Sequence, residues 1–174
     1  MKFTSSIRLT HLAITWARRM SKKTLLIVGH VPSINTQILR DAVLRGARHP
    51  DISGVETVAL SPFDTHPEHV KTANAIVLGT TENLGYMSGA LKDFFDRIYY
   101  PCLEETQAKP FALYVRAGLD GTGTCRAVDT ITTGLRWKAV QDHLVCRGEY
   151  NDQFEADCEE LGTLMAAGLE AGVF

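Results

Sequence analysis

The sequence lacks the features that would place it outside the ordinary globular proteins. It has no uninterrupted apolar run long enough to cross a membrane or to form the core of a signal peptide, and its four cysteines form no C-x-x-C pair. The spacing of the cysteines argues against a zinc site and against a thioredoxin-type motif. With 45% hydrophobic and 22% charged residues in 174 positions, the composition fits one globular domain and excludes a disordered or collagen-like chain. Reduced thiols, and with them a cytoplasmic location, are expected.

Acidic residues are absent from the first 23 positions, which carry six basic side chains. Residues 24–174 therefore hold 12 basic and 20 acidic side chains, a net charge of −8. This mild acidity disfavours a nucleic-acid partner, and no membrane partner is expected. We interpret residues 1–20 as a basic N-terminal extension and residues 21–174 as the domain; an amphipathic, transit-like leader is the alternative.

From Thr24 onward, short apolar runs alternate with segments of helical period, which is typical of βα units around a parallel sheet. The pattern predicts a three-layer, doubly wound α/β fold with five parallel strands in the order 2-1-3-4-5. The predicted strands are Thr24–Gly29, Val55–Leu60, Ala73–Thr80, Phe111–Arg116 and Ala139–Cys146.

Four longer helices have recognisable boundaries. The first runs from Asn35 or Thr36 to Arg45, with Gly46 as its expected end, and the second starts at a Ser88 cap and is expected to stop at Pro101. Their apolar stripes consist of Ile38, Leu39, Ala42 and Val43, and of Leu91, Phe94, Phe95 and Ile98. The other two span about Thr124–Trp137 and Asp152–Ala171, and residues 67–72 have room for one or two turns only.

Ligands in sheets of this type bind at the carboxyl ends of the strands, so three loops define the predicted site. The first loop, residues 29–36, leads directly into a helix and offers Ser33, Asn35 and Thr36 beside unpaired backbone N–H groups. This arrangement suits a phosphate, although ordinary helix capping explains the same residues. The loop contains no lysine and no G-x-x-x-x-G-K-[ST] motif, which argues against a nucleoside triphosphate.

The second loop, residues 79–97, carries the most specific pattern. It reads G-T-T-E-N-L-G-Y-M-S-G-A-L-K-D-F-F-D-R, and it resembles the segment that ends the third strand in the flavodoxin-like NAD(P)H-dependent FMN and quinone oxidoreductases. The matching positions are Gly79, Thr80, Gly85, Met87, Ser88, Leu91, Lys92, Phe94, Phe95, Asp96 and Arg97, whereas Thr81 replaces the family's proline. The resemblance implies a flavodoxin-like fold and a flavin ring near the backbone of residues 81–85.

The third loop, residues 116–124, contains three glycines and resembles the family's glycine-rich loop. The resemblance implies FMN as cofactor, NADH or NADPH as hydride donor and a small-molecule electron acceptor such as a quinone or free flavin, with the ring between the second and third loops. The cofactor-binding residues it implies are Ser33, Asn35, Thr36, Thr80, Thr81, Glu82, Asn83, Leu84, Gly85, Tyr86, Gly118, Gly121 and Gly123. Arg116 is a candidate cation for the reduced flavin, or else it forms an ion pair with Asp120 or Asp93.

Two other functions stay open at this point. The chain could be a flavodoxin-type electron carrier, or a flavodoxin-like binding module without a cofactor, a reading suggested by Ile34 and Thr81, which depart from the family's pattern. A homodimer is possible through the apolar segment 98–103.

Several other side chains are candidate metal ligands or nucleophiles. No metal site is expected, because His66 and His69 lack an obvious third ligand. Cys125, at a helix start beside Arg126, could have a lowered thiol pKa, and Cys146 and Cys158 are expected in the core.

Overall fold

The computed structural model describes residues 22–174. The predicted N-terminal extension, residues 1–20, lies outside the described residues.

Strands and helices alternate along the described chain. The strands are β1 (Lys23–Gly29), β2 (Val55–Leu60), β3 (Ala75–Asn83), β4 (Tyr86–Met87), β5 (Pro110–Ala117), β6 (Lys138–Ala139) and β7 (Leu144–Arg147). The helices are α1 (Ile34–Ala47), α2 (Pro67–Thr72), α3 (Gly89–Cys102), α4 (Thr122–Gly134) and α5 (Gln153–Ala171). No helix within residues 22–174 combines the length and the apolar character needed to cross a membrane.

The sheet has the strand order β2-β1-β3-β5-β6, with β7 also pairing with β5. All these pairs are parallel, and only the short β4 runs antiparallel, beside β3. Alternate residues of each central strand face opposite layers: Leu25 and Ile27 pack under α1 and α5, and Leu26 and Val28 pack on the side of α3 and α4. The doubly wound α/β fold is therefore confirmed.

Two strand predictions need correction. The third strand extends to Asn83 and turns back through β4, so the start of the second loop is a hairpin. The predicted fifth strand is two short strands, because the polar residues between them leave the sheet. One of these, His143, lies 2.7 Å from the carboxylate of Asp129 on α4.

Gly46 does not end α1, which continues to Ala47. A Cβ on Gly46 would lie 1.9 Å from the backbone oxygen of Glu159, and one on Gly162 would lie 2.0 Å from that of Val43. The two glycines let α1 and α5 approach backbone to backbone. Gly46 is therefore a packing residue of this helix pair and not a cap.

Pro101 likewise does not stop α3, which reaches Cys102. Ile98 and Cys102 lie one turn apart and are both fully buried, so the apolar stripe of the helix includes the residue after the proline.

Candidate functional site

The loops that follow the parallel strands meet at one edge of the sheet. Gly29, the last residue of β1, is level with Gly79 on the neighbouring β3, and Gly79 is level with Tyr114 on β5. The chain leaves β1 and β3 toward opposite faces of the sheet, which makes this the topological switch point where such folds bind ligands. The three predicted loops are brought together here.

In the first loop, Ser33 and Thr36 form a reciprocal capping box. The Thr36 N–H donates to Ser33 Oγ at 3.3 Å, and the Ser33 N–H donates to Thr36 Oγ1 at 3.0 Å. Thr36 is buried, whereas Ser33 is exposed. Ordinary capping thus accounts for both hydroxyls in the protein as it stands.

Donors for an anion remain at the start of α1. The backbone N–H groups of Ile34 and Asn35 have no hydrogen-bond partner among residues 22–174. The side chain of Ile34 is 69% exposed, so this β-branched residue is not packed into the interior of the loop. The positive end of the helix dipole adds to the attraction for a phosphate.

His30 lies at the switch point itself. The backbone N–H of His30 donates to the carbonyl of Gly79 at 3.0 Å. The imidazole Nδ1 is buried and has no hydrogen-bond partner in the described part of the chain. Burial lowers the pKa of His30, which disfavours the protonated imidazole.

The second loop is a tight hairpin. Thr80 is buried and its Oγ1 accepts from the Ser88 N–H at 3.1 Å, which joins β3 to the start of α3. Thr81 Oγ1 donates to Asn83 Oδ1 at 2.8 Å. At the tip, Leu84 and Gly85 have φ angles of 54° and 75°, and Leu84 is fully exposed. Positive φ at both central residues defines a type I′ turn, which normally carries Asn-Gly, so a leucine here is strained.

The second and third loops contact each other directly. The Glu82 carboxylate accepts from the backbone N–H of Leu119 at 2.7 Å and from that of Gly121 at 3.1 Å. A Cβ on Gly123 would lie 2.0 Å from the carbonyl oxygen of Gly85. The backbones of the two loops are therefore already in contact at this point, and the position of a ring between these loops stays a prediction.

Other donors of the third loop are also engaged. The Thr122 N–H donates to Asp120 Oδ1 at 2.9 Å, and this bond lowers the pKa of Asp120. Gly118 is open, with no atom of another described residue within 4 Å of where a Cβ would sit. Gly121 has a φ of 73°, which explains why glycine occupies the N-cap of α4.

Arg116 does not face the site as a free cation. Its guanidinium donates to the carbonyls of Ala117, Cys146 and Gly148 at 2.5–3.0 Å and lies 5.6 Å from the centre of the Phe154 ring. The alternative expectation is wrong as well, because within residues 22–174 Arg116 pairs with neither Asp120 nor Asp93.

Sequence reasoning missed a fourth loop at the same edge, residues 61–66. Arg97, a residue of the second-loop motif, donates to the carbonyls of Thr65 at 2.7 Å and Pro62 at 2.6 Å. Between these anchors Phe63 is 61% exposed. The signal is an aromatic residue three positions after the end of the second strand, in a loop that the site predicted from strands one, three and four does not include.

The Cys125 thiol is not activated. Cys125 lines a groove of about 710 Å³ along α4, beside Asp120 and Asp129. Burial, together with the charge of Asp129, raises the pKa of Cys125, contrary to the expectation from its helix-start position. Cys146 and Cys158 are fully buried, as predicted.

The proposed dimer segment contributes mainly to the core. Ile98 and Cys102 are fully buried within the chain, Tyr99 and Leu103 pack partly buried against the core, and Tyr100 and Pro101 are exposed. His66 and His69 interact with each other, since the His66 N–H donates to His69 Nδ1 at 3.0 Å.

Exposed apolar side chains concentrate at the carboxyl edge. Of the eight large apolar residues that are exposed in the described chain, five lie on its loops: Ile34, Phe63, Leu84, Tyr86 and Leu119. Leu84, Tyr86 and Leu119 sit on the joined second and third loops, and we call these three residues the apolar ledge. The backbone N–H groups of Leu84 and Gly85 have no partner in residues 22–174. Exposed apolar side chains, free backbone donors and an anion site on the loops of one sheet edge suit a flat heteroaromatic ring that carries a phosphate, which is the chemistry of FMN.

Comparisons with known proteins agree with this architecture. No protein-family model matches the sequence, and the search of curated proteins gives no match. Among solved structures, the fold is similar to a flavodoxin from the domain Archaea, with a TM-score of 0.72 and 19% identity over 84% of this chain and 99% of that one.

Two further structures are similar to the chain. A flavodoxin, WrbA-like protein from Agrobacterium tumefaciens has a TM-score of 0.66 and 16% identity over 87% of this chain and 99% of that one. A flavone reductase has a TM-score of 0.68 and 18% identity over 85% of this chain and 63% of that one. At these identities the likeness establishes the fold, and the chain has a flavodoxin-like fold.

Proposed function

We propose that the chain binds FMN at the carboxyl edge of the sheet and acts as an NAD(P)H-dependent oxidoreductase for a quinone, a free flavin or a similar small acceptor. The observation that carries the proposal is the apolar ledge beside the unpartnered donors of the second loop and of α1. The flavodoxin-like fold, the second-loop motif and the reductase among the similar structures support it.

The chain's own residues would hold the cofactor in two places. The N–H groups of Ile34 and Asn35, with the exposed Ser33 hydroxyl, receive the phosphate at the positive end of α1. Leu84 and Leu119 support one face of the ring, and the partly exposed Tyr86 adds an aromatic contact.

The donors at the hairpin tip orient the ring. The N–H groups of Leu84 and Gly85, which have no partner in residues 22–174, would donate to the polar margin of the ring and would lower the energy of negative charge there. When bound, the flavin supplies the redox chemistry, by taking up a hydride from NADH or NADPH and delivering it to the acceptor.

A flavodoxin-type electron carrier is the second candidate. Negative charge would let such a carrier dock on a basic redox partner, although the net charge of −8 in residues 24–174 is modest for that role. Against this, the exposed Phe63 offers a small molecule an apolar contact at the same edge of the sheet, on a different loop from the ledge assigned to the cofactor.

One experiment separates these functions. The purified chain is incubated with FMN, freed of excess ligand and mixed anaerobically with NADH or NADPH while the absorbance of the oxidised flavin is followed. Rapid bleaching supports the oxidoreductase, and bound flavin that only dithionite or a reductase bleaches supports the carrier. Failure to retain FMN refutes both and leaves the binding module. Leu119→Asn is expected to weaken FMN binding, whereas the matched control Leu164→Asn, an exposed leucine on α5, is not.

A further inference from the structure

Glu82 connects the two loops that bear the apolar ledge through two hydrogen bonds. Its two carboxylate oxygens accept separate backbone N–H groups of the third loop, from Leu119 at 2.7 Å and from Gly121 at 3.1 Å. Bonds of this charge-assisted kind are about twice as strong as neutral ones. They connect residue 82, at the base of the hairpin, to residues 119 and 121, which lie 37 and 39 positions further along the chain.

The two bonded residues have different tasks. Leu119 is one of the three ledge residues, 66% exposed, and its backbone is held directly by Glu82. Gly121 is the N-cap of α4, so the second bond fixes the loop to the rigid helix behind it. The Gly85 carbonyl against Gly123 completes the contact on the other side of the hairpin.

The bonds also decide which groups face a ligand. The N–H groups of Leu119 and Gly121 donate to Glu82, and the N–H group of Thr122 donates to Asp120. These three donors of the third loop are therefore not available to the polar edge of a ring. What the third loop offers instead is the Leu119 side chain. The ring is therefore held by contact with its face, and that contact depends on Leu119 and Leu84 keeping a fixed relative position.

We propose that Glu82 is a positioning residue that joins the second and third loops into one rigid surface for the ring of the ligand, and that it does not itself bind the cofactor. This inference rests on the proposed function, and it changes the role that sequence resemblance gave to Glu82. Because it acts on the ring surface alone, its removal should weaken the binding of flavins with and without a phosphate by the same factor.

The test compares riboflavin, which lacks the phosphate, with FMN by fluorescence titration of the full chain. Glu82→Ala removes both bonds and is expected to lower the affinity for both ligands about tenfold. Glu82→Gln keeps one acceptor oxygen and should lose less. The ratio of FMN to riboflavin affinity should stay at its original value in both variants, whereas Ser33→Ala should change that ratio.

Two controls separate positioning from a general loss of stability. Glu149→Gln makes the same charge change in an exposed residue of the neighbouring loop before α5. Thr106→Val removes the acceptor of the Trp137 Nε1–H bond, 2.9 Å long and buried at the opposite edge of the sheet, and so destabilises the fold away from the site. Both variants should bind riboflavin within twofold of the unaltered chain.

A spectroscopic signature checks the contact itself. The amide proton resonances of Leu119 and Gly121 should both shift in Glu82→Ala relative to the unaltered chain, and should shift less in Glu82→Gln. An unshifted resonance of either amide in Glu82→Ala, unchanged riboflavin affinity in that variant, or a rise in that affinity would each overturn the proposal. A rise would show that the carboxylate blocks donors the ring needs. If the unaltered chain binds neither flavin, the proposed function fails, and the role of Glu82 fails with it.

Discussion

The turn at Leu84 and Gly85 gives the sharpest prediction, because stability and binding should change in opposite directions. Leu84 has a φ of 54° and is fully exposed, so its side chain stabilises nothing in the folded chain by packing. The left-handed conformation costs an ordinary residue roughly 1–2 kcal/mol, and asparagine tolerates it far better. Leu84→Asn should therefore raise the free energy of unfolding by about 1 kcal/mol, or the melting temperature by about 2–4 °C for a domain of this size.

The same substitution should weaken the binding of FMN. A leucine fully buried by a ligand contributes about 1.5–3 kcal/mol, and a ring that covers one side of Leu84 gains about 1 kcal/mol of this, or roughly fivefold in affinity. Thermal unfolding of the cofactor-free protein and a fluorescence titration with FMN measure the two effects. Leu119→Asn is the matched control, since it removes an exposed ledge leucine outside the left-handed region, and it should lower affinity without a gain in stability.

The stability and the FMN affinity of these variants together test whether the turn is strained and whether the ledge contacts the ring. A Leu84→Asn variant that is no more stable than the unaltered protein would show that the turn is not strained. Unchanged FMN affinity in both variants would show that the ledge is not the ring surface. Strain retained at an exposed position is a mark of function, and only the expected pair of results supports that interpretation.

Three further outcomes are expected. Gly46→Ala should lower the free energy of unfolding by about 1–3 kcal/mol or more in chemical denaturation, because the new Cβ meets the Glu159 backbone. The control Gly89→Ala should be neutral or slightly stabilising, because no atom of another described residue lies within 4 Å of the added Cβ. Equal changes in the two variants would contradict the packing role of Gly46. Ser33→Ala should cost about 1 kcal/mol of stability through the lost cap and should weaken FMN more than riboflavin, and an equal loss for both ligands would place the phosphate elsewhere. Because burial lowers the pKa of His30 in the folded state, the unfolded state takes up its proton first, so stability should fall as the pH drops below about 6.5 toward the lowered pKa. His30→Gln should flatten that decline in unfolding experiments at pH 7 and pH 5, and an unchanged slope would assign the decline to other groups.

The sequence predicted the layers of the fold better than the details of its loops. Leu91, Phe94, Phe95 and Ile98 are spaced at helical period and are all buried, because burial of an apolar stripe depends only on a local pattern. The prediction that Gly46 ends the first helix is wrong, because the role of this glycine depends on Glu159, which lies 113 positions away on another helix. The prediction for Arg116 is wrong for the same reason, because two of its three acceptor carbonyls, those of Cys146 and Gly148, belong to β7 and to the loop after it.

The second-loop motif, the strongest sequence signal, turns out to consist mostly of residues that build the loop. Gly79 leaves room for the ring of Tyr114, because a Cβ there would lie 2.1 Å from it, and Thr80 and Ser88 bond to each other beneath the hairpin. Phe94 and Phe95 fill the core, and Arg97 fixes the loop that displays Phe63.

At the hairpin the exposed residues of that segment are Asn83, Leu84 and Tyr86, none of which belongs to the matched pattern, whereas the exposed Asp96 of the pattern lies further along, on α3. A motif of this kind therefore indicates the shape of the hairpin, and the chemistry recognised there depends on the side chains at its tip. The resemblance therefore leads to a proposed place for a ligand, and both that place and the choice of ligand must be tested at Leu84, Tyr86 and Leu119, whose backbone Glu82 holds.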